Sequence, residues 1–101
     1  MHTSKWIVVL VTLATTSMVS SQSFYFGADL SYVNEMEDCG ATYTVNEDPQ
    51  DAYTIFKDHG CNLVRLRLWH TPSWYDQLND GNRYSDLNDV MISIGRAKAE
   101  G

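Results

Sequence analysis

The chain has 101 residues, 44% of them hydrophobic, and 13 acidic against 7 basic side chains give it a formal charge of −6. That length suits no more than one small domain. The acidic balance excludes a nucleic-acid or anionic-membrane binder working through bulk electrostatics, and it fits an exported protein acting on a neutral substrate.

Residues 1–21 carry one lysine, Lys5, ahead of the apolar run Trp6–Val11. A Thr/Ser-rich stretch follows, with Val19 and Ser21 at the −3 and −1 positions of a cleavage site. This is the pattern of a secretory signal peptide. A membrane anchor would need roughly 20 apolar residues, and this run is far shorter. The mature part is therefore expected to be residues 22–101, secreted or periplasmic, with no membrane attachment after cleavage. Without Lys5 its charge is −7. An exported chain meets oxidising conditions, so Cys39 and Cys61 could pair, although two cysteines make no framework. The chain has no CxxC or HxxxH spacing, and no metal or other cofactor is expected.

Residues Phe24–Ser31 alternate with period two. Phe24, Phe26, Ala28 and Leu30 fall on one side and Gly27, Asp29 and Ser31 on the other, which predicts a strand. Asn34–Glu47 is polar and turn-rich and is expected to be a loop. Its acids Glu35, Glu37 and Asp38 are expected to be solvated. A helix is predicted from Asp48 as cap and Pro49 as first helical residue. It buries Ala52, Ile55, Phe56 and His59, with Tyr53 beside them, and stops at Gly60. A second strand runs through Leu63–Trp69, with Val64, Leu66 and Leu68 opposite Leu63, Arg65, Arg67 and Trp69. A loop containing Pro72 and Asn79–Asn82 leads to a second helix capped by Ser85 or Asp86. Its apolar face is Leu87, Val90, Met91, Ile94 and Ala97.

Strand–helix–strand–helix predicts an α/β chain of parallel βα units. The helix-ending Gly60 and Gly101 are 41 residues apart. Eight units of that length make roughly 330 residues, the range of a (β/α)₈ TIM barrel. The chain is thus expected to supply the first two βα units of such a barrel, incomplete here, as an amino-terminal fragment of a longer protein. Two parallel strands cannot close a barrel, so this piece is not expected to fold stably alone.

Barrel active sites lie at the C-terminal strand ends. Those ends carry Asp29 and Ser31, then Arg65, Arg67, Trp69 and His70, which are the candidate site-lining residues. Two readings of the arginines stay open. One is an edge strand with a solvated face. The other is an inward barrel face, where each guanidinium needs a carboxylate or a ligand. Trp69 and Trp74 fit core packing or stacking on the C–H faces of sugars. His59 and His70 read as structural rather than catalytic, His59 at a helix end where its charge favours the dipole. No pair of carboxylates can be assigned as acid and nucleophile, and no nucleophile elbow, P-loop or dinucleotide fingerprint is present.

The segments "FGADLS" (Phe26–Ser31), "HGCNLVRLRLWHTP" (His59–Pro72), "YSDLNDV" (Tyr84–Val90) and "RAKAEG" (Arg96–Gly101) follow one another at fixed separations. Together they resemble the amino-terminal part of glycosyl hydrolase family 53, the secreted arabinogalactan endo-β-1,4-galactanases. The likeness covers Phe24–Gly101, and "HTPSWY" is closer to bacterial members than to fungal ones. The resemblance implies a (β/α)₈ barrel and a retaining endo-hydrolase of β-1,4-galactan. Its general acid/base would be a Glu at the fourth strand's end and its nucleophile a Glu at the seventh's, both beyond Gly101. No catalytic residue is therefore expected within residues 1–101, and the piece alone is expected to be inactive.

The resemblance also aligns Arg65 with the second-strand arginine beside the nucleophile, whose guanidinium would hold that carboxylate ionised and oriented. Arg67 aligns with a second arginine and Asp29 with a first-strand acid. Ser85 stands where many relatives have Cys, so a family-like disulfide there is not expected. The implied partner is the galactan polysaccharide, bound by a monomer. The alternative is a non-catalytic carbohydrate-binding or decayed barrel protein that keeps Trp69, Trp74 and Asp29 for sugar contact.

Overall fold

The structure, a computed structural model, describes residues 23–101; the leader assigned to residues 1–21 lies outside them. In chain order the elements are strand β1 (Gly27–Asp29), helix α1 (Val33–Asp38), strands β2 (Thr44–Val45) and β3 (Asp48–Pro49), helix α2 (Ala52–Asp58), strand β4 (Leu63–Arg65) and helix α3 (Leu87–Ala99). Two 3₁₀ turns, Ser73–Gln77 and Asn79–Gly81, lie between β4 and α3.

The frame is a parallel pair. β1 and β4 align Gly27 with Leu63, Ala28 with Val64 and Asp29 with Arg65. A Cβ at residue 27 would lie 3.2 Å from the Leu63 carbonyl oxygen, so glycine lets the strands approach. Asn62 extends the pairing backwards. Its Oδ1 accepts from the Phe26 amide and its Nδ2 donates to the Phe24 carbonyl, both at 2.9 Å.

The predicted alternation holds where the strands pack. Leu30 joins Val33, Ala52 and Tyr53 in the core, with Ala28, Val64, Leu66 and Ala97 against it. Both strands are shorter than expected, three residues each. Phe24 and Phe26 are exposed, and so is Leu68. α2 stops as predicted, with Gly60 at φ +92°. Its buried residues are Ala52 and Tyr53, while Phe56 and His59 face solvent.

Three expectations are corrected. The Asn34–Glu47 segment is not simply a loop: it contains most of α1 and half of a hairpin. α1 has six residues, only Val33 buried, and no side-chain cap at Tyr32. Such a piece is too short to show periodicity. The hairpin turns at Asn46 and Glu47, both with positive φ, where an extended pair needs a tight left-handed turn.

Next, α2 begins three residues later than the Asp48–Pro49 start. Its cap is Asp51, whose carboxylate accepts from the amides of Tyr53 at 2.8 Å and Thr54 at 3.3 Å. Pro49 lies in β3 instead, a short edge strand that tolerates a missing donor.

Finally, α3 is capped by Asp86 as predicted, but it turns a different face inward. Its buried residues are Asp89 and Ser93, whereas Leu87, Met91 and Ile94 are exposed. A polar seam explains this. Asn34 Nδ2 donates to Asp89 at 2.8 Å and to Ser93 at 2.9 Å. Arg96 reaches Asn34, both oxygens of Glu37 and Asp51 at 2.6–2.9 Å. Its guanidinium also sits 4.6 Å over the Tyr53 ring. These carboxylates raise the Arg96 pKa, Glu37 contributing most. Cys39 is exposed and Cys61 buried, and both are free thiols.

Candidate functional site

Where the ladder ends, side chains continue it. Leu30 N–H donates to the Arg65 carbonyl at 3.2 Å. One residue on, the Ser31 hydroxyl takes the place of a backbone acceptor: Arg67 N–H donates to Ser31 Oγ at 2.8 Å. The same hydroxyl donates to Asp29 Oδ1 at 2.5 Å, and the Ser31 amide donates to that oxygen at 3.0 Å. The buried Ser31 therefore stitches both strands together at their C-terminal ends and orients the Asp29 carboxylate. The Ser31 hydroxyl, then its amide, hold the Asp29 carboxyl below its ordinary pKa.

Arg67 lies between two rings. Its Cζ is 4.3 Å from the Tyr32 ring centre and 5.0 Å from that of Trp69, and Nη1 donates to the Tyr32 hydroxyl at 2.8 Å. Cation–π stacking of this kind fixes a guanidinium without neutralising it. Its Nε is buried and has no partner among the described residues. Arg65 behaves differently. Its Nε is 3.7 Å from Asp29 Oδ2, and its side chain is 84% exposed. Of the two open readings, this solvated face is what the described residues display for Arg65. Arg67, by contrast, is half-buried.

Past the strand the chain reverses sharply. Thr71 has φ +48° and is followed by the fully buried Pro72. The reversal brings Trp74 back against Trp69, ring centres 5.5 Å apart and nearly perpendicular. Both rings stay about half exposed, as does Tyr32. Trp74 also lies tilted against Tyr75, and Tyr75 meets Tyr84 nearly at right angles, ring centres 5.8 Å apart in each pair.

The acids of α1 are not merely solvated, a further correction: Glu35 and Glu37 are half-buried, Asp38 is exposed, and all three have side-chain partners. Glu35 accepts from the Tyr75 hydroxyl at 3.3 Å and Asn79 Nδ2 at 3.1 Å. Asp38 accepts from the Tyr84 hydroxyl at 2.7 Å. Glu37 pairs with Arg96. The Tyr75 hydroxyl is held above its ordinary pKa by burial and then by Glu35, and that of Tyr84 chiefly by its bond to Asp38.

Five of the six residues expected at the strand ends thus form one group: Asp29, Ser31, Arg65, Arg67 and Trp69. His70 is exposed and stands outside it. Sequence reasoning missed Tyr32, although it directly follows Ser31, and missed the anchoring of the aromatic loop by Glu35. Nothing at those positions marks a long-range partner. Chemically the group offers a carboxylate, two guanidinium groups and exposed aromatic faces. These are the means to hydrogen-bond sugar hydroxyls and stack on sugar C–H faces. Asp29 is the sole carboxylate of that group among the described residues.

The family model described as glycosyl hydrolase family 53 matches residues 25–101. An arabinogalactan endo-beta-1,4-galactanase of Cellvibrio japonicus is 46% identical over 94 residues, covering 93% of this chain and 23% of that protein. An endo-beta-1,4-galactanase of Bacillus subtilis is 43% identical over 86 residues, covering 80% of this chain and 19% of that protein. A probable arabinogalactan endo-beta-1,4-galactanase A of Aspergillus fumigatus is 36% identical over 93 residues, 91% of this chain and 24% of that protein. The chain spans about a quarter or less of the length of these relatives. No solved structure matches it. With the match running through the β1–β4 pair and its flanking helices, the chain belongs to glycosyl hydrolase family 53.

Proposed function

We infer that this chain is the amino-terminal part of an exported endo-β-1,4-galactanase, with residues 1–21 as its signal peptide. It would supply the first two βα units of a (β/α)₈ barrel that binds (arabino)galactan as a monomer. The observation that carries this reading is the Asp29–Ser31–Arg67 stitch at the C-terminal ends of two adjacent parallel strands, flanked by exposed Tyr32, Trp69 and Trp74. Family membership and the names of the relatives support the substrate class.

In the mechanism proposed, two glutamates from later strands do the chemistry. One protonates the glycosidic oxygen as the other attacks the anomeric carbon. Water then hydrolyses the glycosyl-enzyme, with net retention. Arg65 would donate to the nucleophile and keep it ionised, and its exposed, weakly paired guanidinium is free to do so. Asp29, Arg67 and Trp69 would line the sugar-binding cleft.

The test is hydrolysis of β-1,4-galactan by the full-length protein, with proton NMR of the first anomer released. A β-anomer is expected; an α-anomer refutes retention. Galactan binding without hydrolysis would establish the non-catalytic carbohydrate-binding reading instead. Residues 1–101 alone are expected to show no turnover. Amino-terminal sequencing of the exported protein should begin at Gln22.

A further inference from the structure

The connection from Leu66 to Asp86 contains no α-helix or β-strand, only the two 3₁₀ turns. A loop of that length is mobile unless side chains tie it down. Here the ties converge on one short helix. Glu35 and Asp38 lie three residues apart and so share a face of α1. Glu35 holds Tyr75 and Asn79, and Asp38 holds Tyr84. Tyr75 is only 8% exposed and packs against the rings of both Trp74 and Tyr84. A fixed Tyr75 therefore fixes the Trp74 ring beside it.

An aromatic on a loose loop loses conformational freedom when it binds ligand, and that loss weakens affinity. Galactose has an axial 4-hydroxyl, which leaves the C–H groups at positions 3, 4 and 5 together on one ring face. An indole held still and half exposed suits that face.

We propose that Glu35 is a positioning residue for substrate binding: it holds Tyr75 and Asn79 so that Trp74, nearly perpendicular to Trp69, presents a face to one galactosyl unit of the polysaccharide. This rests on the galactanase reading and names a residue that acts at the same site without touching substrate. Because the contact is with a bound sugar and not with the reacting bond, its loss weakens binding and leaves the chemical step alone.

The test uses the full-length protein with β-1,4-galactan. Glu35→Ala should raise KM about fivefold to tenfold with kcat within about twofold, as expected for losing two hydrogen bonds to a carboxylate. Glu35→Gln keeps an acceptor and should recover most of the loss. Tyr75→Phe keeps the ring packing and should raise KM by roughly twofold to threefold, so a misfolded alanine variant does not end the test. Trp74→Ala should match Glu35→Ala, and the double variant should be no worse than Trp74→Ala alone. The proposal is overturned by an unchanged KM in Glu35→Ala, by kcat falling with KM unchanged, or by a double variant that multiplies the single effects. If the wild-type protein binds galactan without hydrolysing it, the galactanase reading fails separately. The same variants are then compared by dissociation constants from tryptophan fluorescence. A wild-type protein that neither cleaves nor binds galactan overturns both.

Discussion

At the scale of single residues, the Ser31 hydroxyl is the pivot of the candidate site. It donates to Asp29 and accepts from Arg67, so its loss leaves the Arg67 amide without that acceptor and Asp29 with only the residue-31 amide and Arg65. The folded pKa of Asp29 lies below its unfolded value near 4. Its contribution to stability is therefore present above that unfolded value and is lost as pH falls through the folded one. Ser31→Ala should move the Asp29 pKa upward, read by carboxyl-carbon NMR titration; an unchanged titration would deny the hydroxyl its role. The carboxylate is about half exposed, so solvent screens the effect and the stability change is small.

Arg65 gives a complementary prediction. Its 3.7 Å pair with Asp29 is made by an exposed side chain and is worth at most about 1 kcal/mol, so that contact does not commit the guanidinium. In the full-length protein assayed on β-1,4-galactan, the proposed role predicts that Arg65→Ala lowers kcat more than it changes KM, and a pure rise in KM would contradict support of the nucleophile. Asp29, Arg65, Arg67 and Trp69 were legible in the sequence because a charged or bulky face on an apolar strand stands out. Tyr32 and Glu35 were not, since a tyrosine or glutamate in a polar stretch looks the same whether it is solvated or bonded to a residue far along the chain.

At the scale of elements, α2 and α3 are joined through Asp51 and Arg96. Asp51 both caps α2 and pairs with Arg96 at 2.6 Å. Asp51→Asn keeps a capping oxygen and loses the charge. Asp51→Ala loses both and should cost about 1 kcal/mol more, by urea denaturation of the full-length protein. Equal losses would show that the cap contributes nothing. Arg96→Ala should be more damaging, by about 2 kcal/mol or more, because it leaves Glu37 and Asn34 without their partner in a half-buried seam. The helix start was misplaced in the sequence reading because Asp48, Pro49 and Asp51 all carry N-terminal signals. Only the hairpin, which takes Asp48 and Pro49 as a strand, removes the ambiguity. α1 was missed for a related reason: it is held by contacts at Asn34, Glu35, Glu37 and Asp38 rather than by an apolar stripe of its own.

At the scale of the whole molecule, the described residues cover only part of the apolar face read from α3: Ala97 packs against the core and Val90 is half-buried, while Leu87, Met91 and Ile94 are exposed. Leu87 is 63% exposed and Met91 58%. Exposed apolar faces of this kind mark contact with further structure. A polypeptide limited to residues 22–101 should therefore bind a hydrophobic dye and unfold without a sharp transition. The full-length protein should do neither; a sharp transition without dye binding in the short piece would refute this. By itself the sequence determined the parallel βα order, the strand-end residues and the family. Those rest on local alternation, helix-stop glycines and motif spacing, which are properties of neighbours in the chain. Tertiary structure alone decided which face of α3 turns inward, where α2 begins and what the acids of α1 hold. The start of α2 is set by the pairing of Asp48 and Pro49 with Val45 and Thr44, and the other two by partners up to some 60 residues away, such as Arg96 on Asn34, whose pairing leaves no local trace.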